Sequence, residues 1–134
     1  MKLLISLSFV LLSSLVSLAN ADDLAKMSDG DVYQSLAWPE LKKEFLKGGK
    51  VVFDNRITVK GPDFAEDAMN VPVQFDATAV EKVGGGIEQI VILVDRNPIK
   101  RVLVFDPKKV KPILSFRFKL EQSSPLRVAV LGKD

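Results

Sequence analysis

The sequence contains neither cysteine nor histidine. Without cysteine it can form no disulfide bond, and it offers no thiol for lipid attachment or covalent chemistry. Without histidine as well, it lacks the side chains that most often bind zinc, copper and haem iron, and it lacks the usual nucleophile–base pairs. A hydrolytic or redox enzyme built from this chain would have to rely on carboxylates alone. We therefore predict no cofactor, no metal site and no catalytic activity.

The sequence also lacks a large excess of positive or negative charge. The chain has 19 lysines and arginines against 17 aspartates and glutamates, a formal net charge of +2. Such a balance gives no electrostatic case for a nucleic-acid partner. The charge is nevertheless uneven, because residues 96–119 contain eight basic residues and one acidic residue, Asp106.

The first 21 residues have the features of a secretory signal peptide. Lys2 supplies a positive charge, residues 3–18 are apolar residues and serines, and Ala19-Asn20-Ala21 places small residues at both positions that a signal peptidase reads. This pattern predicts cleavage between Ala21 and Asp22, one mature domain over residues 22–134, and a periplasmic location. The apolar run is shorter than the ~20 residues of a membrane span, so no membrane association is expected after cleavage. An uncleaved anchor is the less favoured alternative.

One helix and a series of short strands are expected in the mature part. The helix is predicted over residues 31–47, with Asp29 or Asp31 as its cap, although Pro39 indicates a break or a first-turn position. Residues 90–94 are apolar at every position, which predicts a central strand covered on both faces. The predicted strands cover residues 51–53, 57–59, 71–77, 87–94, 101–105, 113–121 and 126–130. The pattern indicates an all-β chain folded as an antiparallel β-sandwich with a short N-terminal helix.

Four short motifs occur in an order that is typical of one protein family. They are Trp38-Pro-Glu-Leu41, Ala65-Glu-Asp-Ala68 with Val71-Pro-Val73, Val94-Asp95-Arg-Asn-Pro98 and Leu126-Arg-Val-Ala129. On these motifs the chain resembles the SoxY domain of periplasmic sulfur carriers, above all the SoxY half of the SoxYZ-like carriers linked to quinoprotein dehydrogenases. The resemblance implies an immunoglobulin-like sandwich. It also implies a protein partner, either a SoxZ-like domain or a quinoprotein dehydrogenase-associated protein.

The sequence departs from that family at one decisive point. In the family, one further strand and a flexible Gly-Gly-Cys arm follow the last strand seen here, and the cysteine of that arm carries sulfur. The resemblance therefore implies that the closing strand and the carrier residue are missing from residues 22–134. Either a partner supplies the strand, or the reading frame is shortened; the second alternative is the more favoured.

Each of two groups of residues has both a functional and a structural interpretation. Asp63, Glu66 and Asp67 form an acidic cluster that would suit weak calcium binding or acid–base chemistry, but a solvated loop with Asp67 capping a turn is favoured, because no calcium-loop spacing is present. Five aromatic residues would suit a ligand groove, but their spacing favours the sandwich core. They are Trp38, Phe45, Phe105, Phe116 and Phe118. If Phe116 and Phe118 are buried, deletion of either ring should cost about 3–5 kcal/mol.

Two surfaces are candidates for partner contact. The first is a basic flank made of Lys108, Lys109, Lys111, Arg117 and Lys119, which would steer an acidic protein or an anionic sulfur compound. An ordinary solvated face is its favoured alternative. The second is the C-terminal edge, where Leu126, Val128 and Val130 form an apolar stripe beside unpaired backbone groups.

The sequence thus favours a non-catalytic, SoxY-like carrier or interaction domain. A general periplasmic ligand-binding or adhesion module with the same sandwich architecture is the alternative, because fold alone says little about function. An enzyme using the acidic cluster is the least favoured hypothesis.

Overall fold

Six short strands and one helix form the framework of the computed structural model, which describes residues 30–81 and 85–133. The helix α1 spans Trp38–Phe45, and a single helical turn, α2, spans Thr78–Glu81. The strands are β1 (Thr58–Lys60), β2 (Val71–Asp76), β3 (Ile87–Val94), β4 (Arg101–Phe105), β5 (Ile113–Phe118) and β6 (Leu126–Gly132).

The strands form two three-stranded antiparallel sheets. The first has the order β1-β2-β5, and the second has the order β4-β3-β6. Val73 lies opposite Phe116 in the first sheet, and Ile92 lies opposite both Leu103 and Val128 in the second. The predicted all-β, immunoglobulin-like sandwich with a short N-terminal helix is confirmed.

The core between the two sheets follows from alternation along β2 and β3. Phe75 on β2 is fully buried and packs edge-on against Phe105 on β4, with ring centroids 6.1 Å apart. Ile90 and Ile92 reach the same core from β3. Since successive strand residues point to opposite faces, these residues all lie between the sheets.

The other face of the second sheet is covered by α1. Val91 and Leu93, which alternate with Ile90 and Ile92, pack with Trp38 and Leu41 of the helix. Strand β3 is therefore buried on both faces and paired on both edges, as its continuous apolar run predicts.

Several predicted elements require correction. The helix begins at Trp38 and not at residue 31, with Pro39 in its first turn, where the missing N–H costs nothing. Asp31 does not cap that helix, because its carboxylate is occupied elsewhere. Residues 51–53 form no strand; their side chains line a groove described below.

Phe116 and Phe118 are only partly buried, which contradicts the expectation that both are core residues. They lie on β5, and Phe116 packs against the core cluster from the margin of the sandwich. The cost of deleting either ring should therefore be smaller than that of deleting Phe75.

The predicted signal peptide, with its cleavage site at Ala21 and Asp22, lies outside the described residues. Within the described ranges, no helix has the length and apolar character needed to cross a membrane.

Candidate functional site

Strand β6 lies at an edge of its sheet. It pairs with β3 from Leu126, opposite Val94, to Gly132, opposite Ile87. Over the ranges that the structure describes, no second strand pairs with it. The backbone groups along this edge are therefore available for pairing with another extended chain.

A groove of about 570 Å³ follows this edge. All seven residues of β6 line it, and residues 46, 47, 49–54, 57 and 59 form much of its other wall. Val59 lies on β1, the edge strand of the other sheet, so the groove joins the open margins of both sheets. We call it the β6 groove.

Apolar side chains are exposed along the β6 groove. Val52 is 72% exposed, and Phe53 and Val59 are each 46% exposed. Val32 and Tyr33 add two further exposed apolar residues to the lining. Exposed apolar residues gathered in one place mark binding surfaces more often than isolated ones do.

Arg127 anchors the buried side of β6. Its guanidinium donates to Asp95 through Nε (2.8 Å) and Nη2 (2.8 Å), and to Asp31 through Nη1 (2.6 Å) and Nη2 (2.9 Å). The side chain of Arg127 is 6% exposed, and both carboxylates are fully buried. Bidentate pairing to two carboxylates fixes this strand to the turn after β3 and to the segment before α1.

The hydrogen bonds and charges in this cluster stabilise the ionised forms of Asp31 and Arg127. Burial acts to raise the pKa of Asp31, but hydrogen bonds from Arg127 and the backbone of Ser35, together with the Arg127 charge, bring it below the ordinary value of 3.8. Burial acts to lower the pKa of Arg127, yet the bonds and charges of Asp95 and Asp31 raise it overall. The cluster is thus two carboxylates around one permanent cation.

Two aromatic rings complete the surroundings of Arg127. Its guanidinium carbon lies 4.4 Å from the ring centre of Trp38 and 5.6 Å from that of Tyr33. The Trp38 indole nitrogen is buried and has no acceptor among the described residues. The ring of Trp38 also lies 6.1 Å from that of Phe53, which connects the cluster to the wall of the groove.

The charged residues that line the groove are of both signs, with two exposed lysines and the buried Arg127 against two acidic residues. Lys47 and Lys50 are exposed in the loop after α1, whereas Asp54 is bound by Arg56. The Arg56 hydrogen bonds hold the pKa of Asp54 at about 2. Glu88 is the other acidic residue of the lining.

Leu126, Val128 and Val130, predicted as partner contacts, all line the β6 groove. Their side chains also pack against the core between the sheets and are partly buried. The structure therefore brings these three residues together on one edge; their contact with a partner stays a prediction.

The predicted basic flank is divided into two groups. Lys108, Lys109 and Lys111 lie in the connection before β5, whereas Arg117 and Lys119 lie at the other end of that strand. Extended chain from Ile113 to Arg117 lies between the two groups, about 14 Å at the usual rise per residue. Each group remains a candidate for partner contact, but the two are separate surfaces.

Several of these basic residues already have internal partners. Lys108 pairs with Asp106 at 3.8 Å, and Lys119 pairs with Glu121 at 2.8 Å. Arg117 donates to the carbonyl oxygen of Asn70 at 3.3 Å. All of these are exposed contacts, so they leave the side chains accessible to a partner.

The acidic cluster forms a turn. Asp67 accepts bonds from the backbone N–H of Met69 (2.8 Å) and the side chain of Asn70 (2.8 Å), and these bonds lower the pKa of Asp67. Asp63 and Glu66 are exposed. Within residues 30–81 and 85–133, no group of three or more acidic side chains is placed to hold a metal ion.

Sequence reasoning missed the cluster around Arg127. Alternation along β6 places Arg127 on the face opposite Leu126 and Val128. The signal that would have found it is the acidic Asp95 directly after β3, because the register places Arg127 opposite Leu93, two residues before Asp95, and the two side chains hydrogen-bond. Nothing in the spacing identified Asp31, which is 96 residues from Arg127.

Comparison with known proteins gives a matching family and several similar solved chains. Residues 42–134 match the family described as sulfur oxidation protein SoxY. The sulfur carrier protein SoxY from Chlorobium limicola f thiosulfatophilum is 27% identical in sequence, with a TM-score of 0.48 over 60% of this chain and 69% of that chain. Among curated proteins, no sequence matches this one.

Proposed function

This chain belongs to the SoxY family of sulfur oxidation proteins, and we propose that it works there as an exported, non-catalytic domain that binds a partner protein. The domain acts in a periplasmic sulfur-oxidation system or in a system associated with a quinoprotein dehydrogenase. The partner is a SoxZ-like protein or a protein associated with that dehydrogenase. The observation that carries the proposal is the free edge of β6 beside an apolar groove in a member of this family.

The absence of cysteine removes covalent sulfur carriage from the function proposed for these residues. A persulfide or a thioether-type adduct needs a thiol, and these 134 residues contain none. The side chains of this sequence therefore cannot hold sulfur covalently in that way. Partner binding is the part of the function that its surface supports.

Binding to a SoxZ-like protein tests the proposal directly. We expect the domain over residues 22–134 to bind a purified SoxZ-like protein in isothermal titration calorimetry and to gain thermal stability on mixing, because a ligand that binds only the folded state stabilises it. An unrelated immunoglobulin-like domain of similar size serves as the control. No heat of binding and no shift in melting temperature would contradict the proposal.

The proposed export has its own test. The native protein isolated from the periplasm should have the intact mass of a polypeptide that begins at Asp22. A mass that includes residues 1–21, or recovery only from the cytoplasm, would contradict export. A heavier polypeptide that loses a sulfur adduct on reduction would show that the mature protein contains a carrier residue beyond this sequence.

One observation favours a second candidate function. The β6 groove has a volume in the range of small-molecule sites, roughly 300–1,000 Å³, and Tyr33, Trp38 and Phe53 contribute aromatic lining. A periplasmic module that binds a small apolar ligand would have such a groove. An apolar ligand that raises the melting temperature without any protein partner would favour this function over the first.

A further inference from the structure

We propose that the β6 groove binds one extended segment of the partner protein, which adds to β6 as a further strand. The segment has alternating apolar residues, with acidic side chains that meet Lys47 and Lys50. This inference rests on the proposed function, since it assigns the place and the manner in which the partner binds.

The backbone of β6 provides the first reason. Its seven residues pair with β3 on one side only. At the usual rise of about 3.4 Å per residue, they offer an edge of about 24 Å. An extended peptide that pairs with such an edge gains backbone hydrogen bonds along its length, as in other cases of strand addition.

The side chains of β6 provide the second reason. Val128 and Val130 face the core between the sheets, and Ala129 alternates with them toward the α1 face. A strand added beside β6 would continue both faces, because its own side chains also alternate. Its residues on one face would meet Val59 of β1, and that valine is already exposed.

The shape of the groove determines the kind of occupant. The edge of β6 is recessed, since residues 46–59 form the facing wall. A single extended segment fits between such walls, whereas the edge of a second folded sheet would bring its own layers against residues 46–59. We therefore assign the groove to a free segment of a partner and not to β6 of a second copy.

The charged side chains that line the β6 groove indicate the charge of the segment that it binds. Lys47 and Lys50 line the groove, and no ion pair joins either lysine to another residue in the part of the chain that the structure describes. Asp54 is neutralised by Arg56, which leaves Glu88 as the opposing charge. An acidic segment is therefore favoured over a basic one.

A synthetic peptide of alternating valine and threonine, with glutamate at both ends, tests the inference on residues 22–134. We expect the peptide to bind, and we expect hydrogen exchange to slow at the amides of residues 126–132. The same peptide with lysine at both ends should bind about tenfold more weakly. The double variant Lys47→Glu, Lys50→Glu should reverse this preference.

Val59→Asp and Val104→Asp form a matched pair of variants for the same experiment. Val59 is 46% exposed on the edge strand β1 and lines the groove, whereas Val104 is 45% exposed on the edge strand β4, away from it. We expect Val59→Asp to weaken binding of both the peptide and the SoxZ-like protein by at least about tenfold, and Val104→Asp to leave both unchanged. The melting temperature of each variant alone controls for folding.

The other outcomes separate this inference from the proposed function. If the SoxZ-like protein binds Val59→Asp as tightly as the wild type and slows no exchange in β6, the inference is wrong and the proposed function stands. If the peptide binds the groove but no SoxZ-like protein binds, the proposed function fails and the strand site stands. A dimer of the domain that Val59→Asp dissociates would overturn the assignment by showing a second copy in the groove.

Discussion

The guanidinium of Arg127 binds the carboxylate of Asp31 across 96 residues of sequence, with Nη1 2.6 Å from Oδ1. The same guanidinium binds Asp95 in the turn that follows β3. One side chain therefore joins the segment before α1, the central strand and the edge strand that lines the groove. The shape of the β6 groove depends on this cluster, because Tyr33 and Trp38 of its lining lie against Arg127.

Arg127→Met should destabilise the domain strongly. The change keeps most of the side-chain volume but leaves two buried carboxylates without a cation, which typically costs about 3–5 kcal/mol. Urea unfolding followed by tryptophan fluorescence measures the effect, since Trp38 lies beside Arg127. Arg56→Met is the control, because its ion pair with Asp54 is exposed, and its urea midpoint should stay close to that of the wild type. Equal midpoints for the two variants would contradict the structural role of Arg127.

The contribution of Asp31 to stability should disappear in acid. Its pKa is lower in the folded state than the ordinary value of 3.8, so the folded state favours the ionised form. The stabilisation is complete above the ordinary pKa and is lost as the pH falls through the folded-state value. The free energy of unfolding of wild type should therefore exceed that of Asp31→Asn near neutral pH, and the difference should shrink below pH ~4. A difference that does not change between neutral pH and strong acid would contradict this account.

Phe75→Ala should cost more stability than Phe116→Ala. Phe75 is fully buried between the sheets, so its deletion leaves a cavity and should cost about 3–5 kcal/mol. Phe116 is partly exposed, so solvent and neighbouring side chains can fill part of the space that its ring leaves. Chemical denaturation of the two variants under identical conditions gives the comparison. A larger loss for Phe116→Ala would show that β5 is packed more tightly than the structure has it.

The two basic groups should affect partner association separately. They lie at opposite ends of β5, with about 14 Å of extended chain between them, which exceeds the screening length of ~8 Å at physiological ionic strength. Replacing Lys108, Lys109 and Lys111 with alanine should slow association with a SoxZ-like protein only if that end of β5 faces the partner. Arg117→Ala with Lys119→Ala tests the other end. In stopped-flow measurements at low and high salt, only one of the two sets of substitutions should change the association rate. Equal effects of the two sets would indicate a single continuous contact surface.

The fold could be predicted from the sequence where burial leaves a simple pattern. The unbroken apolar run at residues 90–94 predicted a strand covered on both faces, and β3 is such a strand. Alternation at residues 113–121 predicted a strand; β5 ends at Phe118, and its phenylalanines are only partly buried. Alternation shows which side chains share a face and does not show how completely that face is covered.

The region around the groove could not be predicted in the same way. Val51, Val52 and Phe53 have strand-like side chains, yet they belong to an irregular segment, because no strand of the structure pairs with them in the described ranges. Asp31 resembled a helix cap, since aspartate is common there. Its actual partner, Arg127, is distant in sequence, and only the pairing of β6 with β3 brings the two together.

The placement of β3 has a consequence for the order in which the chain can fold. Its partner on one side, β6, is made almost 40 residues later, and Arg127 arrives with it. A growing chain without residues 126–132 would leave one edge of β3 without its partner strand and two carboxylates without their cation. Folding should thus be delayed until residues 126–132 have been synthesised. Under the proposed export, such a delay would keep the chain unfolded for passage through the secretion channel.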